Sequence, residues 1–169
     1  MDGKFMFHLV LPFAIFCLIF KILNLDKLIE NIKIKKIVRY SNCIIPIIPF
    51  LTLCYLFIIN NENYHYVATH GSERLPIKFR ISAVWAAREG PLLLWAACCS
   101  IISLINQIYS RSNKNQLSGK ILDLFTLILL LIANSLDPFK LVPENALIIS
   151  SGLNPLLQTN LMVIHPPLI

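Results

Sequence analysis

Four runs of apolar residues, each close to the length needed to cross a bilayer, recur along the chain at 5–22, 41–59, 91–109 and 121–136. A hydrocarbon core of roughly 30 Å needs about 20 apolar residues in a helix, because lipid offers the backbone no hydrogen-bond partner and each segment must satisfy its own amides. Composition agrees: of 169 residues 56% are hydrophobic and only 14% charged, with a mean hydropathy of +0.68, outside the range of a soluble domain of this size. The expectation is an all-α membrane protein, a single membrane domain of about four transmembrane helices.

The exceptions inside these runs have ready physical readings. Lys21 comes late enough in the first run to snorkel to the interface. Pro46 and Pro49 lie close enough together to kink the second. Trp95 and Tyr109 bracket the third with residue types suited to membrane interfaces, and Asp123, near the start of the fourth, is expected among headgroups. The first run is longer than the apolar region of a secretory signal and lacks a small-x-small cleavage site, so it reads as a retained span.

Basic residues set the expected orientation. Lys21, Lys27, Lys33, Lys35, Lys36 and Arg39 outnumber Asp26 and Glu30 between the first two runs, and Arg111, Lys114 and Lys120 stand without an acid between the last two. The positive-inside rule puts loops 23–40 and 110–120 on the inner side, and the N terminus, 60–90 and 137–169 on the outer side. Topology therefore accounts for the net charge of +6 without a nucleic-acid partner. Within the first inner loop, Leu25, Leu28, Ile29 and Ile32 recur at helical spacing among lysines, a pattern that fits an amphipathic helix along the inner leaflet or a solvated linker.

Cys17, Cys43, Cys54, Cys98 and Cys99 all fall in or beside the apolar runs, odd in number and without a C-x-x-C pair, and read as small apolar fillers. His65 and His70 read as surface residues and His8 as a buried, satisfied histidine, although an ionisable group in a span is a functional candidate. His165 has a distinct setting. It follows an apolar stretch and precedes Pro166 and Pro167, which restrict the backbone and hold the imidazole at a defined place near the outer surface.

Two stretches are unlike generic membrane sequence. In the first, Trp85-Ala86-Ala87-Arg88-Glu89-Gly90-Pro91-Leu92-Leu93-Leu94-Trp95, a charged pair and a glycine open an apolar span between two tryptophans. In the second, Gly152-Leu153-Asn154-Pro155-Leu156-Leu157-Gln158 leads to Ile164-His165-Pro166-Pro167-Leu168. Together they resemble the N-terminal part of the CcmF family, the haem lyase component of the multi-subunit cytochrome c maturation system. In that family a segment resembling W-x-x-x-E-G-S-x-L-L-W enters an early span, and N-P-L-L-Q leads to H-P-P on the outer side. Here Pro91 replaces the usual serine and Arg88 stands where histidine or a similar polar residue is usual, while the second motif is intact. The resemblance covers most of the chain.

What the resemblance implies is a part of a cytochrome c synthase that helps hold haem while it is attached covalently to apocytochrome c, and that does not act alone. His165 matches the family's outer axial ligand of haem, with Trp85 and Trp95 as weaker candidates for haem contact. Arg88, Glu89, Gly90, Asn154, Pro155, Gln158, Pro166 and Pro167 are motif residues, and Glu89 also fits the simpler role of an acid at a helix N-terminus. Full-length members continue past H-P-P into a tryptophan-rich outer segment and further histidines, absent here. The expectation is therefore a naturally split or truncated form, with the start of a fifth helix at its C terminus. Its implied partners are the remaining CcmF-like chain or chains, a haem chaperone, thiol-reducing maturation proteins, apocytochrome c and the bilayer. Richness in Ile, Asn, Lys and Phe suits a mitochondrial inner-membrane protein with His165 facing the intermembrane space, or a bacterial cytoplasmic-membrane protein facing the periplasm. The alternative from another class is a structural subunit of a respiratory complex or a piece of a transporter.

Overall fold

A computed structural model describes residues 7–109, 113–143, 152–154, 158–161 and 163. Seven α-helices are present among them: α1 (Val10–Ile22), α2 (Ile32–Ile44), α3 (Ile48–Ile58), α4 (His65–His70), α5 (Ile77–Ala83), α6 (Glu89–Tyr109) and α7 (Asn113–Leu136). By length and composition Ile32–Ile58, Glu89–Tyr109 and Leu117–Leu136 can cross a membrane, and Phe7–Ile22 is a shorter apolar helix. The all-α membrane architecture follows from the apolar runs, but the helix boundaries differ from the expected ones.

The second span is longer than its apolar core. Asn31 caps α2, its Oδ1 accepting from the amides of Lys33 at 3.0 Å and Ile34 at 3.3 Å. From there the helix continues through a 3-10 turn at Ile45–Ile47 into α3, and each of Pro46 and Pro49 falls in the first turn of its segment, where the missing N–H costs least. At 1.5 Å per residue the 27 residues extend about 40 Å, more than a hydrocarbon core requires. The stretch 25–38 is thus neither one amphipathic helix nor a loose linker. Leu25–Leu28 forms a 3-10 turn, Asp26 is buried against Arg39 at 2.6 Å, and α2 starts afresh after an extended break. Likewise α7 begins at Asn113, so most of the expected inner loop 110–120 is helical.

Unlike a soluble bundle, the helices are apolar on their outward faces as well as in the core. The inward stripe of α6 is Gly90, Leu93, Ala96, Ala97, Ser100 and Ser103, recurring every three or four residues and mostly small. Outward lie Trp95, Ile101, Ile102, Ile105 and Ile108, and on α7 Leu124, Phe125, Ile128, Leu131 and Ile132. Small residues let helix backbones approach where lipid supplies no hydrophobic drive, and α6 against α7 is the most extensive helix contact among the described residues.

One polar node ties three helices together. Lys21 of α1 donates to Asp123 of α7 at 2.6 Å and to Ser103 of α6 at 2.9 Å, and Ser103 donates to Asp123 at 2.6 Å. The side chains of Lys21 and Asp123 are only 13% and 7% exposed. Snorkelling of Lys21 and a headgroup position for Asp123 are therefore corrected: each carries a charge the other needs, and pairing inside the bundle replaces escape from it. Cys17 and Cys43 are buried as apolar fillers would be, but Cys98 is exposed, and the thiol of Cys43 donates to Gln107 at 2.7 Å.

At the far ends, α1, α3 and α7 stop on Asn24, Asn60 and Asp137, which take left-handed φ values of 55°, 50° and 48°. Asn and Asp tolerate that conformation better than other side chains, and it turns the chain out of the helix.

Removing one member of the buried ion pair should cost more than removing both. Asp123→Leu is expected to lower stability by about 3–5 kcal/mol, and Lys21→Met with Asp123→Leu to restore most of that, read by thermal unfolding in detergent. A double variant as unstable as the single one would contradict the pairing.

Candidate functional site at the capped end

The first motif and Gly152, Leu153 and Gln158 of the second meet at the end of the bundle opposite the lysine-rich turns. Here the stretch 60–90 is not an open loop. Tyr64 pairs with Leu141 in an antiparallel bridge, with the His65 amide donating to Lys140 at 2.8 Å and the Val142 amide to Asn63 at 2.9 Å. Arg80 stitches the cap to α3: its guanidinium donates to the carbonyls of Leu75 at 2.9 Å, Ile58 at 3.0 Å and Glu73. A cation on the last carbonyls of a helix also answers its dipole.

The first motif forms an elbow between α5 and α6. Gly90 passes so close to Val84 that a Cβ would run into the Val84 carbonyl oxygen and lie 2.6 Å from its carbon, so only glycine fits. That same carbonyl accepts from the Tyr66 hydroxyl at 2.6 Å. Tyr66 is clamped edge-on against Phe57 and His70, at centroid distances of 5.2 and 5.0 Å. Burial, with the nearby Glu89 carboxylate, raises the Tyr66 phenol far above its ordinary pKa of 10.0, which keeps it a donor.

Glu89 occupies the first turn of α6, where the helix dipole favours an acid, and its Oε2 is buried without a hydrogen-bond partner among the described residues. Arg88 is exposed, Trp85 is half-buried against the core, and Trp95 is exposed in the second turn of α6. The two tryptophans thus face different surroundings.

Part of the second motif packs on this cap. Gly152 adopts φ +61°, a conformation suited to glycine, and Leu153 is buried in the core cluster that includes Tyr66, Val84 and Leu93. Gln158 donates to the Leu153 carbonyl at 3.0 Å, and Lys78 of α5 donates to Asn160 at 3.1 Å. Asn154 is exposed. Pro155, His165, Pro166 and Pro167 lie outside the described residues.

The other histidines gather at the same end. His8 is half-buried in the 3-10 turn that opens the apolar helix Phe7–Ile22, 4.0 Å from Asp137 and tilted against Tyr64. His65 is exposed on α4, while the Nδ1 of His70 lies 2.8 Å from the Thr69 hydroxyl and 3.2 Å from the Tyr66 carbonyl. Among the described residues no group of three His, Cys, Asp or Glu side chains could hold a metal ion by itself. Sequence reasoning missed Tyr66 and Arg80, whose partners are backbone carbonyls that leave no mark in residue spacing.

The elbow makes a sharp contrast between two glycines. Gly90→Ala is expected to destabilise the protein by about 3 kcal/mol, the upper end of ordinary overpacking, whereas Gly119→Ala, where a Cβ meets nothing within 4 Å, should be neutral or stabilising. Thermal unfolding of the two variants checks this, and equal melting temperatures would contradict the close approach.

No family model and no solved structure matches the chain. It is 33% identical over 124 residues to the cytochrome c-type biogenesis protein CcmF of Escherichia coli, covering 71% of this chain and 19% of that one. To the CcmF of Haemophilus influenzae it is 30% identical over 126 residues, 72% of this chain and 19% of the other. To the probable cytochrome c-type biogenesis protein NrfE of Escherichia coli it is 32% identical over 127 residues, 73% of this chain and 23% of the other. The chain therefore spans about a fifth of the length of these curated relatives. It is a CcmF-like chain, homologous to part of the CcmF and NrfE cytochrome c-type biogenesis proteins.

Proposed function

We propose that the chain is the part of a cytochrome c haem lyase that helps to hold haem, as the substrate to be attached, at the outer face of the membrane, acting with the remaining CcmF-like chain or chains. The observation that supports this reading is that the first motif and Gly152, Leu153 and Gln158 of the second meet on one cap, at the end of the bundle opposite its lysine-rich turns. Positive-inside counting puts that cap outside, where apocytochrome c is matured. In this reading 1–169 is one membrane domain whose N terminus and residues 60–90 and 137–169 face outward. The membrane is the mitochondrial inner membrane, or in a bacterium the cytoplasmic membrane with the cap in the periplasm.

The donor set at this end fits such a substrate. Haem is held by axial imidazole and by cations on its propionates, and the cap carries His65, His70 and exposed Arg88, with His165 as the motif's own candidate ligand. When bound, haem supplies the vinyl carbons to which cysteine thiols add. The chain's own contribution is a fixed ledge: the Gly90 elbow, the Tyr66 hydrogen bond and the Arg80 contacts hold the entrance of α6 in one place. Rigid support of that kind is what orientation of a bulky substrate needs. Haem chaperone, thiol-reducing proteins and apocytochrome c are its partners in this scheme.

His165→Ala in the complete complex tests the ligand assignment. Haem absorbance of the purified complex and covalent haem in c-type cytochromes should both fall to background, with the chain still present in the membrane. Unchanged haem content and maturation would overturn it.

A further inference from the structure

The lysine-rich end of the bundle holds a feature that the haem reading does not use. Between α1, α2, α6 and α7 lies a cavity of about 440 Å³, with Lys21, Lys27, Arg39, Asn42, Lys120 and Asp123 among its lining. Its size is that of a small-ligand site. Its charges do not cancel. Lys21 is matched by Asp123 and Arg39 by Asp26, each at 2.6 Å. Lys27 and Lys120 have no anion among the described residues, so the wall carries a surplus of two positive charges.

A second observation points the same way. Asn42, on the same wall, is only 5% exposed, yet its Nδ2 has no hydrogen-bond partner among the described residues. A buried amide donor left unpaired is costly, so an acceptor belongs in this space. Gln107 adds to the bias, because its Oε1 already accepts from the Cys43 thiol and its Nε2 remains to donate. Two ammonium groups and two amide donors, with both nearby carboxylates already engaged, suit a compact anion rich in acceptor oxygens.

We propose that this cavity binds the phosphate headgroup of an anionic phospholipid, its oxygens between Lys27, Lys120 and the Nδ2 of Asn42. Basic pockets between membrane helices recognise such headgroups by this chemistry. A lipid is favoured as the source because exposed apolar side chains share the helix face of a lining lysine: Leu117 and Leu124, three residues before and four after Lys120 on α7, are 62% and 52% exposed. The site is separate from the cap and does not rest on the haem assignment.

Lipid retention by the full chain tests the proposal, with the chain purified in mild detergent together with any chains that accompany it. Native mass spectrometry would follow its exposure to vesicles of phosphatidylglycerol or of phosphatidylcholine. One bound phosphatidylglycerol is expected, retained about tenfold better than phosphatidylcholine and not displaced by ~10 mM inorganic phosphate. Lys27→Gln with Lys120→Gln should abolish the preference, and Lys27→Arg with Lys120→Arg should keep it. Equal retention of the two lipids by the unaltered chain, a measurement that needs no variant to fold, would overturn the proposal. So would an undiminished preference in the glutamine variant, and displacement by inorganic phosphate would overturn the lipid as source.

Discussion

The contact of Lys21 with Asp123 and Ser103 is the constraint on which the bundle depends. Helices whose outward faces are as apolar as lipid gain little from burying more of the same surface, so association rests on close backbone approach and on polar contacts. The small-residue stripe of α6 supplies the first and the Lys21 node the second. Because the node joins α1 to both members of the α6–α7 pair, it fixes where the chain leaves α1 and therefore where the turn carrying Asp26 and Lys27 lies. The polar cavity beside α2 follows from that placement.

The opposite end is built by a different means. Its contacts run from side chains to backbone carbonyls, Tyr66 to Val84 and Arg80 to Ile58, Leu75 and Glu73, beside a backbone bridge between Tyr64 and Leu141. Such contacts hold loops in shape without needing a large core, and the close approach of Gly90 locks the elbow at the entrance to α6. The two ends of the bundle are thus built differently. One is a shaped ledge that carries the first CcmF-like motif and part of the second, and the other is a basic hollow.

The apolar runs made the helical membrane architecture legible, since length and composition alone decide what can cross lipid. Pro46 and Pro49, expected to kink the second span, lie at a 3-10 turn between α2 and α3, because neither has an N–H to donate within an unbroken helix. Boundaries were harder. The helix at Ile32 starts on a cap from Asn31, and α7 starts well before its apolar stretch, both in polar sequence where hydropathy gives no edge. The partnership of Lys21 with Asp123 spans more than a hundred residues, and no periodicity within either helix announces it. At the cap, the place of Glu89 as an acid at a helix N-terminus was legible, since α6 begins on it, but the need for Gly90 was not. The need for Gly90 comes from the Val84 carbonyl, six residues earlier and across an elbow that no helix or strand period describes.

In the proposed role this CcmF-like chain works as one piece of a haem-handling assembly. Affinity purification of the chain from its own membranes, followed by identification of the accompanying chains and by absorption spectroscopy, tests it most directly. A CcmF-like partner carrying the tryptophan-rich segment, together with a haem absorption band, is the predicted result. Recovery with a respiratory enzyme or a transporter, and without any such partner, would contradict it.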